Sequence, residues 1–215
     1  MSISYNSNIT TNGLVLCLDA GNPRSYPGSG TSWKDVSGTG NNGTLVNGPT
    51  YDSSNLGSIK FDGINDYLQS SIATTSTRTV SVFYKLTTPG TGWGPLWRYE
   101  DWKERIFPNT ITLINSNGTY YGLSGPNSST GIVNIVYSYN GTNAKSYLNG
   151  VVQSNITMDG PMNTGTYTYM FGRQAGGSTE AYVDMNLYLV QFYNSQLSDL
   201  EVQQNFNAYR GRYGL

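Results

Sequence analysis

The 215-residue chain has no histidine, a single cysteine and only 12% charged residues. Each shortage closes a class of chemistry. Without histidine there is no Ser-His-Asp triad, no Cys-His pair and no His-rich metal site, because the commonest general base and the commonest zinc ligand are both missing. Cys17 stands alone, so no internal disulfide can form, and its place in the apolar run GLVLCLDA reads as a small buried thiol. Twelve Lys and Arg against thirteen Asp and Glu leave a net charge of −1. Nucleic-acid binding draws most of its affinity from cations on phosphates, so this balance argues against that partner. No apolar run approaches the roughly eighteen residues of a membrane span, and MSISYNSNITTNG has neither the basic start nor the apolar core of a secretion signal. The expectation is a protein with no membrane segment and no Sec-type export.

What is abundant points to strands. Twenty-six glycines, eighteen tyrosines and 13% aromatic residues are the makeup of a turn-rich β protein. Segments of period two, bounded by Gly, Asn and Pro, recur along nearly the whole chain and read as an antiparallel two-sheet sandwich. They predict thirteen strands: GLVLCLD, GTLVN, SIKFD, DYLQSS, RTVSVFYKLT, GPLWRYE, ERIFPNTITLINS, TYYGLS, IVNIVYSY, AKSYLNG, VVQSN, TYTYMFG and DMNLYLVQFYN. Two hairpin turns are expected, near Asn140-Gly141 and at Asn149-Gly150, where a type I′ turn favours Asn-Gly. Asn-Gly-Thr triplets at Asn42, Asn117 and Asn140 read as turn chemistry rather than glycan acceptors.

Near the C-terminus the period changes. Ser198 with Glu201 three residues on predicts a capped helix, with Leu197, Leu200, Phe206, Tyr209 and Tyr213 as its apolar stripe. Residues 1–12 are expected to form an N-terminal arm, 13–197 the sandwich, and 198–215 a helix and tail packed on or projecting from it. The Gly-rich stretch from Ser25 to Gly48 reads as an ordered, decorated loop.

The motifs GSIKFDGINDYLQSS, TVSVFYKL, IVNIVYSYNGTNAKSYLNGVV, YMFGRQ and MNLYLVQFYNSQLSDLEVQQNFNAYRGRYG, in this order, resemble the laminin-G-like jelly rolls of the concanavalin A-like lectin/glucanase superfamily. Together with LDAGNPRSYPGSGTSWKD and GNNGTL, they look most like versions found in virion proteins of tailed bacteriophages. The resemblance runs from about Gly13 to Gly214. It implies an all-β jelly-roll sandwich acting without catalysis at a virion surface, as a capsid decoration or tail-fibre-associated protein in an oligomeric assembly. The implied partners are other virion proteins and cell-surface or environmental glycans. A free carbohydrate-binding lectin and a glycoside hydrolase of the same superfamily are the alternatives, since one fold hosts many functions. Where family members show F.G.ID, this chain reads AYVDMNLYLV, with Asp184 in the acidic place and no Gly.

The stretch TGWGPLWRYEDWKER holds three of the four tryptophans. Related glycosidases set carboxylates at alternate positions of one strand. Here Glu100 and Asp101 point to opposite faces, and Glu100 and Glu104, read on one strand, stand about 13 Å apart, beyond the roughly 5–9.5 Å used in hydrolysis. No catalytic residue is expected. Trp97 and Tyr99 fit a packed strand pattern, whereas Trp93 lies between glycines and Trp102 among charges. Trp93, Arg98, Asp101, Trp102 and Arg105 are therefore the candidates for contact with a carbohydrate or a partner protein, with burial in the core as the competing reading. Asp19, Asp62 and Asp66 are weak calcium candidates, against a plainer role in bonding turn amides. No cofactor is expected.

Overall fold

A computed structural model describes residues 9–54, 57–88, 94–98, 103–107, 109–125, 131–174 and 180–215, the side chain of Trp97 excepted. Two eight-stranded antiparallel sheets pack face to face. The back sheet runs β14 (Val151–Thr157), β13 (Asn143–Leu148), β12 (Val133–Tyr139), β7 (Arg78–Leu86), β18 (Asp184–Tyr193), β5 (Ser58–Asp62), β4 (Thr50–Asp52), with β1 (Leu14–Asp19) beside the second half of β18. The front sheet runs β11 (Tyr120–Ser124), β10 (Thr110–Ile114), β9 (Glu104–Ile106), β8 (Leu96–Arg98), β15 (Gly165–Phe171), β6 (Tyr67–Thr74), β3 (Gly43–Val46), β2 (Ser32–Trp33). A small hairpin, β16 (Arg173–Gln174) with β17 (Ala181–Tyr182), stands apart.

Alternation along the strands builds the core between the sheets. Val80, Val82, Tyr84 and Leu86 of β7 share one cluster with Leu68 and Ile72 of β6, Tyr169 and Phe171 of β15, and Ile111 and Leu113 of β10. A bulge between Leu187 and Leu189 changes the parity of β18. Leu187, Val190 and Phe192 thus enter the core while Tyr188 and Leu189 face outward, as an inserted residue requires. The hairpins at Asn140 and Asn149 form as expected: Asn140 accepts from the amides of Thr142 and Asn143, and Asn149 and Gly150 both take positive φ, 50° and 78°, as a type I′ turn demands.

The helix α1 (Asp199–Tyr213) starts in a capping box between Ser198 and Glu201 and ends at Gly214, φ 70°. It packs on the outer face of the back sheet. Phe206 and Tyr213 meet Phe83, Tyr188 and Leu189, while Val202 joins Val136, Tyr147 and Tyr193. Two predictions are corrected here. Leu200 is 78% exposed: six residues before Phe206, it lies roughly 120° around the helix from that sheet-facing ring, and Val202 takes its place. ERIFPNTITLINS is two strands, β9 and β10, paired with each other rather than continuous; β2, β4, β16 and β17 were not expected at all. Residues 1–8 of the expected arm lie outside the described residues, whereas the Thr10 amide donates to Asn205 of the helix at 2.8 Å. No described helix is long and apolar enough to cross a membrane.

Candidate functional site

The strongest charge cluster lies inside the sandwich. Glu104, at the start of β9, is fully buried. Its Oε1 meets Arg98 and, at 2.9 Å, Arg78. Its Oε2 accepts from the hydroxyls of Tyr137 and, at 3.0 Å, Tyr169. Arg78 also donates to the carbonyls of Thr75 and Asn163, and Arg98 lies 4.2 Å from the centre of the Tyr167 ring. Burial, reinforced by the Glu104 charge, pushes both tyrosines well above the ordinary phenol value. Four donors thus occupy both oxygens of a carboxylate that is sealed from solvent. This corrects the expectation for Arg98, which belongs to the core: the strand that turns Leu96 inward turns Arg98 inward too.

The other candidates divide. Arg105, next to Glu104, is half-buried on the front sheet, its guanidinium 5.6 Å and 5.9 Å from the Phe107 and Tyr120 rings. Trp93, Asp101 and Trp102 lie outside the described residues, as do Tyr99, Glu100 and the side chain of Trp97. Asp19 pairs through both carboxylate oxygens with Arg212 and accepts from the Gly21 amide, so it ties the helix to β1. Asp62 accepts from the amides of Ile64, Asn65 and Asp66, and Asp66 accepts from the Asp62 amide in return. Burial works to raise the Asp62 carboxyl, but these amides outweigh it and hold it below its ordinary value. All three acids thus have occupied oxygens, and no trio of acidic or thiol groups suited to a metal occurs among the described residues.

An accessible polar surface lies on the outer face of the front sheet. Along β6 the buried residues Leu68, Ser70, Ile72 and Thr74 alternate with the outward Gln69, Ser71 and Ala73. Register then sets one row across seven strands: Thr44 beside Gln69, Gln69 beside Met170, the backbone of Trp97 between Met170 and Arg105, then Thr112 and Gly122. At strand spacing this row spans roughly 29 Å. A second row pairs Ser71 with Thr168. Gln69, Ser71, Thr44, Thr168, Asn41 and Asn42 line a groove of about 380 Å³ in which every side-chain polar group is an amide or hydroxyl.

The wall of that groove is built by Asp35. Its Oδ1 accepts from the amides of Cys17 and Ser37, both at 2.8 Å. Its Oδ2 accepts from the hydroxyls of Ser37 and Thr39 and the amides of Gly40 and Asn41. Asn41 donates to the Val15 carbonyl at 2.7 Å, and Asn42 accepts from the Asp35 amide. Burial tends to raise the Asp35 carboxyl, yet the amides and hydroxyls prevail and hold it below its ordinary value. Burial, with Asp19 and Asp35 adding, pushes the Cys17 thiol up to about 12, so it stays protonated. The Gly-rich stretch is ordered as expected from Ser25 to Gly48 but owes this to Asp35, whose signal in the sequence is an Asp followed at short spacing by Ser, Thr, Gly and Asn in DVSGTGNN, which is side-chain-to-backbone chemistry.

No family model and no curated protein matches the sequence. Solved structures do match the fold. The binding domain of Paraclostridial Mosquitocidal Protein 1 is similar at TM-score 0.70 and 16% identity, over 93% of this chain and 53% of that one. The ligand-binding domain of botulinum neurotoxin serotype D, solved with N-acetylneuraminic acid, is similar at TM-score 0.71 and 12% identity, over 92% and 51%. This chain therefore spans about half the length of those toxin domains. Domain 4 of AbnA, an extracellular arabinanase of Geobacillus stearothermophilus solved with arabinotriose, matches at TM-score 0.65 and 15% identity, over 89% of this chain and 97% of that one. At these identities the likeness establishes the β-sandwich fold alone.

Proposed function

We propose that the protein is a non-catalytic glycan-binding module that holds a saccharide on the outer face of its front sheet. The observation that carries this reading is the uncharged groove of amides and hydroxyls at Asn41, Asn42, Thr44, Gln69, Ser71 and Thr168. Sugar hydroxyls are both donors and acceptors, and carboxamides and hydroxyls answer both without the desolvation cost of a charge. The arabinotriose and N-acetylneuraminic acid held by the similar domains support the same class of ligand. Trp93 and Trp102, which precede and follow β8 in the sequence, and Arg105 on β9 are the proposed stacking and hydrogen-bonding partners. The absence of catalysis rests on the missing histidine and on the sealed environment of Glu104. Placement on a bacteriophage particle, docked to other virion proteins, rests on the motif resemblance alone.

The test is a glycan array followed by titration. The wild-type protein should retain at least one oligosaccharide, and Gln69→Ala with Ser71→Ala should weaken that binding about tenfold, the loss of roughly two hydrogen bonds. Reducing ends released from the retained glycan would show an enzyme instead.

A further inference from the structure

A second cleft, of about 560 Å³, lies on the opposite side of the molecule, between the β12–β13 turn, the outer faces of β13 and β14, and the start of α1. Four carboxamides converge on it: Asn140, Asn143, Asn155 and Gln196. The carbonyl oxygens of Asn140 and Asn143 are spent on the chain, accepting from the Thr142 and Asn143 amides and from the Thr157 hydroxyl. Their NH2 groups have no partner among the described residues, and neither do the side chains of Asn155 and Gln196. The one charged pair in the lining cancels, Lys145 to Asp199 at 2.7 Å, with the Tyr147 hydroxyl on the same oxygen. At the start of the helix a capping box already engages the Ser198 and Glu201 amides. At the rim stands Leu200, 78% exposed, which no packing requirement explains.

We infer that this cleft is a second saccharide site, taking a neutral sugar whose hydroxyls meet the four amides and whose C–H face rests on Leu200. A volume of this size falls within the range of small-ligand pockets. Solvent-facing amides beside a neutralised ion pair suit a polyhydroxylated, uncharged ligand better than an anion or a cation. The inference rests on the reading of the domain as a glycan binder but on different residues. It adds a consequence: saccharides held on opposite sheets let one domain cross-link two glycan chains.

The experiment titrates the full chain with arabinotriose, cellotriose, maltotriose and mannotriose while following side-chain NH2 resonances by NMR. At least one trisaccharide should move the Asn155 and Gln196 signals. Asn155→Ala with Gln196→Ala should weaken that event about tenfold while leaving shifts at Gln69 in place. Leu200→Ala should weaken it less. Silence of the cleft amides with all four sugars overturns the inference, as does wild-type affinity at the cleft in the double variant. Shifts at Gln69 without the cleft sink the second site alone; shifts at the cleft without Gln69 sink the front-sheet reading alone.

Discussion

The two outer faces of the sandwich use the same strand geometry for opposite ends. On the back sheet, outward positions carry Cys17, Phe83, Val136, Tyr147 and Leu189, and α1 lies over them with Val202, Phe206 and Tyr213. On the front sheet the outward positions of β3, β6, β10, β15 and β11 include Thr44, Gln69, Ser71, Thr112, Thr168 and Ser124, exposed or half-buried. Threonine is instructive, because its β-branch suits a strand while its hydroxyl is offered to solvent. Under α1 the outward residues are apolar and the chain supplies its own cover; where they are polar, on the front sheet and at the β13–β14 end of the back sheet, the surface stays available to a ligand.

The contrast is broken most severely from the centre. Glu104→Ala should cost about 3–5 kcal/mol, because it strands the buried Arg78 and Arg98 guanidiniums; denaturant melts would show it, and a loss under about 1 kcal/mol would mean that the cluster relaxes to solvent. Next, Phe206→Ala strips part of the back cover. It should cost about 3 kcal/mol, with saccharide affinity on the front sheet unchanged in the surviving folded fraction.

Asp35→Ala acts at the front edge and should cost about 2 kcal/mol, the range of hydrogen bonds to a charged group. Its pH dependence has a definite sign. The folded carboxyl is held below its ordinary value, so its contribution is complete above about pH 4, where the unfolded carboxyl is ionised, and is lost as pH falls through the folded value. Asp35→Asn should therefore flatten the acid limb of the stability profile; an unchanged limb would remove Asp35 as the organiser. The smallest stability effect belongs to Gln69→Ala, within about 0.5 kcal/mol as a surface change, although it removes a proposed sugar contact.

The sequence made some of this contrast readable and hid the rest for physical reasons. Period-two runs located twelve strands, and Ser198 with Glu201 marked the helix start, because local hydrogen bonding and alternation decide both. The two-residue strands β2, β16 and β17 are too short to show a period. The burial of Arg98 and Glu104 is not legible locally, since a charge inside a sandwich becomes tolerable only through partners on β7, β12 and β15, distant in the chain. The groove was missed in the same way: Gln69, Ser71 and Thr168 become neighbours only once β6 and β15 pair.

The most direct test is a backbone chemical-shift map of the protein with a saccharide that it retains on an array. Saccharide binding on the front sheet should perturb β3, β6 and β15, at Thr44, Gln69, Ser71 and Thr168. Retention of the saccharide with those four amides unmoved would contradict it.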